Sequence, residues 1–142
     1  MVSMEIRLKI DGNPISKKRP RFARRGKFVT TYNDQETEEG RFLWEVKSQF
    51  TGEPLSGPLS LEVVFYMRMP KTSKVKTCKM IEGEILPTKK PDLDNLVKFT
   101  KDCLNGVAWR DDALVCCTNM KKVYSDQPRT EIVIKKLEAE AA

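Results

Sequence analysis

The chain has 142 residues, of which 39% are hydrophobic and 32% charged, so it holds enough apolar material for one ordinary domain, and this balance excludes a disordered chain. It contains no histidine, which excludes catalytic triads that use histidine and metal sites that histidine ligates. Carboxylates, lysine, tyrosine and cysteine remain as candidate bases and metal ligands. No stretch is apolar over the roughly 18–20 residues that a membrane span needs, and no secretory signal is visible, so we expect a cytoplasmic protein with no membrane partner.

The first half of the chain predicts a strand, a basic loop and a helix. Residues 4–10 alternate between apolar and charged side chains, which is typical of a half-buried strand. The segment 11–27 begins with turn residues, contains proline and glycine and shows no periodicity, so we expect a long basic loop. From residue 33 or 34 to about 50, acidic residues in the first turn and apolar residues on one face predict a helix.

The second half predicts a strand, a second long loop, a helix and two more strands. Alternation predicts a strand over 59–68, and the lysine-rich, aperiodic segment 70–90 predicts a loop, which at that length is usually functional. Apolar residues recur at helical spacing over about 93–104, where Asp92 is the expected N-cap. The remaining segments predict two strands and a frayed tail, at about 114–124, 130–137 and 138–142.

These elements follow one another in the order β-α-β-α-β-β within one domain, 1–142, with no internal repeat or linker. We therefore predict an α/β fold of the α+β kind, with a small mixed sheet covered by two helices. The four cysteines (Cys78, Cys103, Cys116 and Cys117) lack C-x-x-C spacing, which argues against a zinc ribbon, and we interpret them as reduced packing residues.

The basic residues are concentrated in two segments. Of the 26 lysines and arginines, seven lie in 17–27 and seven more in 68–90, and the net charge is +6. A solvated surface alone would explain scattered lysines, but this concentration favours a polyanion, most simply nucleic acid. The candidate phosphate contacts are Lys17, Lys18, Arg19, Arg21, Arg24, Arg25, Lys89 and Lys90.

Carboxylates are the candidate catalytic groups. Asp92 and Asp94 lie at the start of the predicted helix, where both side chains can converge, and Lys98 follows Asp94 by one turn. Asp111 and Asp112 come after the helix, where the chain turns back to the sheet. Clustered carboxylates repel unless a cation lies between them, and oxygen ligands favour Mg²⁺, with Mn²⁺ as a substitute.

Each acidic residue also has a structural explanation. Asp92 alone is most often a helix cap, Asp94 with Lys98 most often a surface ion pair, and Asp111–Asp112 usually a polar turn. Their conjunction beside two basic segments is what favours a metal-dependent phosphodiesterase.

The spacing of these residues resembles that of a known family. The stretch from Asp92 to Lys98 reads D-x-D-N-L-x-K and is followed by W-x-D-D, as in the RusA family of Holliday junction resolvases. The segment from Pro14 to Phe22 is similar to the proline- and arginine-rich opening loop of that family.

The resemblance implies a homodimeric, Mg²⁺-dependent endonuclease that nicks two opposing strands of four-way junction DNA in recombination and repair, of a type often encoded by phages and prophages. It assigns the essential carboxylates to Asp92, Asp94 and Asp112 and the essential lysine to Lys98. One departure is Pro91, where family members can have arginine, a charge that Lys89 or Lys90 could supply.

Two other hypotheses belong to different classes. The chain could be a non-catalytic nucleic-acid-binding module whose acidic residues only cap and pair, although carboxylates at a DNA-binding face contribute nothing to electrostatic binding. It could also be a nuclease that acts on flap or single-stranded DNA, and the sequence is equally consistent with that substrate.

Overall fold

The main predicted elements are confirmed in the computed structural model, which describes residues 2–18, 21–26, 28–32, 35–70 and 80–138. Two α-helices are found in that part of the chain, α1 (Glu36–Gln49) and α2 (Leu93–Leu104), and a single 3₁₀ turn, Asp112–Leu114. The strands in the same residues are β1 (Val2–Asp11), β2 (Arg21–Arg25), β3 (Phe28–Tyr32), β4 (Leu59–Arg68), β5 (Met80–Ile81), β6 (Glu84–Ile85), β7 (Val115–Ser125) and β8 (Arg129–Leu137).

The long strands form one mixed sheet in the order β1-β8-β4-β7. Strand β8 is antiparallel to both of its neighbours, whereas β4 and β7 are parallel and are connected through α2. A parallel pair requires such a crossover, and here the crossover is the helix that carries the predicted acidic residues. The α+β class with two helices on a small mixed sheet is therefore confirmed.

Both helices pack on the same face of the sheet. On β4 the alternate residues Leu61, Val63 and Phe65 are buried, and the residues between them are only partly so. Phe42 of α1 meets Phe99 of α2 edge to face, with their ring centroids 5.6 Å apart. Burial of each large apolar side chain stabilises the fold by about 1.5–3 kcal/mol, so this core fixes where α2 lies on the sheet.

Two segments predicted as loops contain hairpins instead. The loop prediction for 11–27 is wrong over its second half, because β2 pairs with β3 from Arg21–Tyr32 to Arg25–Phe28, and Gly26 in the turn has a φ of +62°. The apparent lack of periodicity hid a short hairpin, although the β-branched and aromatic residues of β3 were a signal for it.

The loop prediction for 70–90 is wrong at β5 and β6, because these two strands pair with each other. Glu82 and Gly83 join the two strands, and both have positive φ, which is the geometry of a two-residue hairpin turn. Residues 71–79 of this segment, and 139–142 of the predicted tail, lie outside the described residues. In the described part of the chain, neither helix is long and apolar enough to cross a membrane.

The cysteines differ in exposure, which corrects their interpretation as packing residues. Cys103 on α2 is buried in the core, whereas Cys116 and Cys117 at the start of β7 are exposed; all three are free thiols, and Cys78 lies outside the described residues. Burial raises the pKa of the Cys103 thiol to about 12, so it stays protonated and unreactive near neutral pH.

We expect brief treatment with iodoacetamide to alkylate Cys116 and Cys117 but not Cys103, as measured by peptide mapping. Unfolding in urea before alkylation is the control, and it should make Cys103 react as well. Equal labelling of all three in the folded protein would contradict the burial of Cys103.

Candidate functional site

The solvent-facing side of α2 presents a row of charged residues. Asp94, Lys98, Lys101 and Asp102 follow one another at spacings of four, three and one residues, which puts them on one side of the helix. The opposite side is buried, with Phe99 in contact with α1. Because the apolar side of α2 packs in the core, the charged row faces away from the core.

This row forms one wall of a cavity of about 210 Å³, called here the acidic cavity, and Asp112 also lines it. The complete lining is Asp94, Val97, Lys98, Lys101, Asp102 and Asp112. Three of the four predicted catalytic residues, Asp94, Lys98 and Asp112, are thus brought together, although Asp112 comes from a different segment of the chain.

Asp112 is held in place by hydrogen bonds to side chains on both sides of the turn that follows α2. The indole N–H of Trp109, which has 0% of its surface exposed, donates to Oδ1 of Asp112 at 2.7 Å. The backbone N–H of Asp112 donates to Oδ1 of Asn105 at 3.0 Å. Trp109 itself is enclosed by the core, and the N–H of Arg110 donates to the carbonyl of Leu55 at 3.0 Å. The Asp112 carboxylate is therefore hydrogen-bonded to a residue of the core, which fixes its position.

The neighbouring Asp111 has a different environment. Its side chain is exposed and accepts a hydrogen bond from the backbone N–H of Ala113 at 3.3 Å, which caps the 3₁₀ turn. The polar-turn explanation thus fits Asp111 and does not fit Asp112, which faces the acidic cavity. The prediction that Asp111 is a metal ligand stays a prediction, and Asp111 does not belong to the lining of the acidic cavity.

The structural explanations for Asp92 and Asp94 do not hold. Asp92 occupies the N-cap position of α2, as predicted. Its side chain makes no capping hydrogen bond, so the capping role expected of the carboxylate is not observed. Among the described residues, neither Asp94 nor Lys98 forms an ion pair. Asp92 is exposed and lies outside the lining of the acidic cavity, one residue before the helix begins.

The predicted phosphate contacts occupy several environments. Lys89 and Lys90 are exposed, and the ammonium of Lys122 donates to the carbonyls of Lys89 and Pro91, each at 2.8 Å, which ties this segment to β7. Lys18 is half exposed and lies 3.7 Å from Glu38. Arg19 lies outside the described residues, while Arg21, Arg24 and Arg25 belong to β2.

Lys17 already has two carboxylate partners. Its Nζ lies 3.2 Å from Oδ2 of Asp102 and 3.6 Å from Oε1 of Glu39. Burial alone would lower the pKa of this ammonium, but the hydrogen bond to Asp102 and the attraction of both carboxylates raise it above the ordinary value of 10.5. The group stays charged at neutral pH, and the stabilisation from these pairs is lost only as the pH rises beyond that ordinary value.

The donor chemistry of the acidic cavity fits a hard cation. No group of three or more Cys, Asp or Glu residues close enough to hold a metal ion exists in the part of the chain that the structure describes. However, Mg²⁺ keeps several of its waters and is usually bound by one or two carboxylates together with substrate phosphate. Asp94 and Asp112 on one cavity are such a pair.

Sequence reasoning missed four residues of this region (Lys101, Asp102, Asn105 and Lys122), and it included Trp109 in the W-x-D-D pattern without giving it a role. Lys101 and Asp102 could have been found, because they continue the spacing of Asp94 and Lys98 along one face of the helix. Asn105 and Trp109 contact Asp112 from only seven and three residues away, and Lys122 contacts Pro91 from 31 residues away. The hydrophobic periodicity of the sequence reveals none of these three contacts.

Comparisons with known proteins identify relatives of this chain by sequence. A sequence model of the family described as endodeoxyribonuclease RusA matches residues 11–135, which include α2, the 3₁₀ turn and the whole lining of the acidic cavity. An uncharacterized protein of Bacillus subtilis (strain 168), YqaN, is 36% identical over 139 residues, and the match covers 94% of this chain and 98% of that protein.

Proposed function

Because this chain belongs to the endodeoxyribonuclease RusA family, we propose that it is a structure-selective nuclease that resolves Holliday junctions by paired hydrolysis of phosphodiester bonds in DNA recombination and repair. The observation that carries this proposal is the acidic cavity, where Asp94, Asp112 and Lys98 converge from two segments of the chain.

The arrangement of these side chains supports catalysis better than it supports a binding module. In a module that only bound DNA, the acidic residues would serve as caps and ion pairs. Asp92 makes no capping bond, and Asp94 and Lys98 form no ion pair with any described residue. Exposed charges that pair with no described residue are available for a ligand.

We assign the metal-binding role to Asp94 and Asp112, with Asp92 as a third carboxylate at the start of α2. Their hard oxygen donors suit Mg²⁺, with Mn²⁺ as a substitute. When bound, such an ion lowers the pKa of a coordinated water and stabilises negative charge on the phosphate that is attacked. The carboxylates themselves orient the site, since Asp112 is fixed by Trp109 and Asp94 by α2.

Lys98 is proposed to act on the substrate directly. It lines the same cavity as Asp94, is exposed, and makes no ion pair within the described residues. Its ammonium can therefore approach a phosphate oxygen and neutralise charge that develops as the bond to phosphorus breaks.

The DNA contacts are proposed to lie in the basic segments that flank the cavity. The β2–β3 hairpin, called here the basic hairpin, carries Arg21, Arg24 and Arg25, and the segment before α2 carries Lys89 and Lys90. Lys18 and Arg19 precede the hairpin. The described residues of these segments contain no recognition helix, so the basic side chains are expected to neutralise phosphates rather than read bases.

Removal of charge from the basic hairpin is expected to weaken binding to every DNA sequence. The double variant Arg24→Gln/Arg25→Gln should reduce the slope of log affinity against log salt by about 0.9 for each lost phosphate contact, as measured by fluorescence anisotropy in EDTA. A matched control is Arg7→Gln/Lys9→Gln, because these residues alternate with the buried Leu8 on β1 and so lie on the sheet face away from the helices. Equal effects of the two doubles would contradict the assignment.

The protein is further proposed to act as a homodimer. A four-way junction presents two equivalent strands, and a two-fold assembly matches that symmetry. The D-x-D-N-L-x-K and W-x-D-D patterns each occur once in the chain, so one chain forms one such site and paired nicking needs a second copy. Sedimentation at micromolar concentration should show twice the mass of the chain, and a monomer that still nicks in pairs would refute this.

The proposed function is tested by cleavage of a mobile four-way junction beside a matched duplex and a flap substrate, with Mg²⁺ or EDTA. We expect symmetric nicks in the junction, only with Mg²⁺ or Mn²⁺. Tight junction binding without any nicking would support the non-catalytic alternative, and preferred cleavage of the flap would replace the proposed substrate.

A further inference from the structure

The segment before the basic hairpin is held by the side chain of Gln35. This glutamine has 0% of its surface exposed. Its Nε2 donates to the carbonyl of Ser16 at 2.8 Å, and its Oε1 accepts from the backbone N–H of Lys18 at 2.9 Å. The amide thus pairs with the main chain as a neighbouring strand would, and a buried polar side chain of this kind is satisfied at both ends.

The same segment is also attached to α2. The backbone N–H of Lys17 donates to the carbonyl of Asn95 at 3.0 Å, in the first turn of that helix. The Lys17 ammonium reaches Asp102 on α2 and Glu39 on α1. Asp102 lines the acidic cavity, so the segment that leads into the basic hairpin touches the wall of that cavity.

The hydrogen bond between Gln35 and Lys18 connects residues on either side of the basic hairpin. Lys18 lies just before β2, and Gln35 lies just after β3 and directly before α1. The bond between them therefore joins the two ends of the basic hairpin. Through Lys17, the closed base is tied to the helix that carries Asp94 and Lys98.

We propose that Gln35 is a positioning residue for the nuclease reaction: its amide closes the base of the basic hairpin, and the adjoining Lys17 holds that base on α2, so that DNA bound by the hairpin has a phosphate within reach of the acidic cavity. This inference rests on the proposed function and assigns Lys17 a structural partner role in place of a phosphate contact. Gln35 acts through the hairpin and touches no reacting atom.

The chain contains a matched control for this proposal. Gln49, at the end of α1, makes the same kind of pairing with β1: its Nε2 donates to the carbonyl of Lys9 at 2.7 Å, and its Oε1 accepts from the Lys9 N–H at 2.8 Å. The two glutamines lie at opposite ends of α1 and each pairs its amide with main chain, but Gln49 is exposed and these hydrogen bonds do not involve the basic hairpin.

The test compares Gln35→Leu with Gln49→Leu in steady-state junction cleavage. Loss of the hairpin base should weaken the binding of DNA in the ground state and the transition state alike, so KM should rise by about tenfold while kcat stays within about twofold. Gln49→Leu should change neither value. A lower kcat at unchanged KM, or equal effects of both variants, would overturn the proposal.

Hydrogen exchange on the protein without DNA provides a readout independent of cleavage. Gln35→Leu should lose protection at the Lys18 amide while β4 and β8 keep theirs, and retained protection at Lys18 would overturn the proposal. If Gln35→Leu fails to fold, Gln35→Glu keeps the acceptor for the Lys18 N–H but loses the donor to the Ser16 carbonyl. It should then raise KM above the wild-type value, and an unchanged KM would overturn the proposal. If the wild-type protein cleaves no junction, the proposed function fails by itself, and duplex affinity then replaces KM in the same comparison.

Discussion

Replacement of Asp94 by asparagine is expected to lower the rate of junction nicking by about 10²–10³-fold while the protein stays folded and binds DNA. A bound divalent ion supplies several kcal/mol of charge stabilisation in the transition state, and each 1.36 kcal/mol corresponds to a factor of ten in rate. Asp94 is exposed and forms no ion pair with a described residue, so the free energy of unfolding should change by less than about 0.5 kcal/mol. Junction affinity in EDTA should persist or increase, because a negative charge near phosphate is removed.

Three measurements on one preparation test this expectation: the melting temperature, the junction affinity in EDTA and the nicking rate in Mg²⁺. Asp126→Asn is a suitable control, since it removes one exposed carboxylate from the turn between β7 and β8 and changes the net charge equally. Asp92→Asn should behave like Asp94→Asn, because Asp92 makes no capping bond whose loss could destabilise α2. Near-normal nicking by well-folded Asp94→Asn would end the catalytic assignment.

Replacement of Asp112 is expected to separate catalysis from stability. Both Asp112→Asn and Asp112→Ala should abolish most nicking, since each removes a carboxylate from the acidic cavity. Only alanine leaves the buried indole N–H of Trp109 without an acceptor, which costs about 1–3 kcal/mol of unfolding free energy. Asparagine keeps an oxygen at the same place, so its loss should be under about 1 kcal/mol. Thermal or urea unfolding of both variants measures the difference.

A double-mutant cycle with Trp109→Phe isolates the hydrogen bond. Trp109→Phe removes the donor, so the additional cost of Asp112→Ala in that background should be smaller than in the wild type. Equal stability of Asp112→Ala and Asp112→Asn would show that the bond at 2.7 Å contributes little. Retained nicking by Asp112→Asn would remove Asp112 from the proposed metal-binding set.

The sequence by itself determined the framework of this protein. Alternation predicted β1 and β4, and helical spacing predicted α2, because a half-buried strand and an amphipathic helix each reveal in their own residues which face is buried. The spacing from Asp92 to Asp112 also carried the resemblance to the family that the comparisons confirm. Both kinds of information are local, so one sequence was enough for them.

The tertiary structure decided how the predicted residues are used, since that depends on which groups are buried and on which side chains meet in space. Adjacent aspartates look alike in sequence, and it is the buried N–H of Trp109 that turns Asp112 toward the acidic cavity while Asp111 caps a turn. Lys17 looks like any lysine of a basic loop until Asp102, 85 residues later, becomes its partner. The physical reason is that a hydrogen bond or ion pair depends on distance in space, and the packing of α1 and α2 on the sheet, rather than any repeat in the sequence, sets those distances.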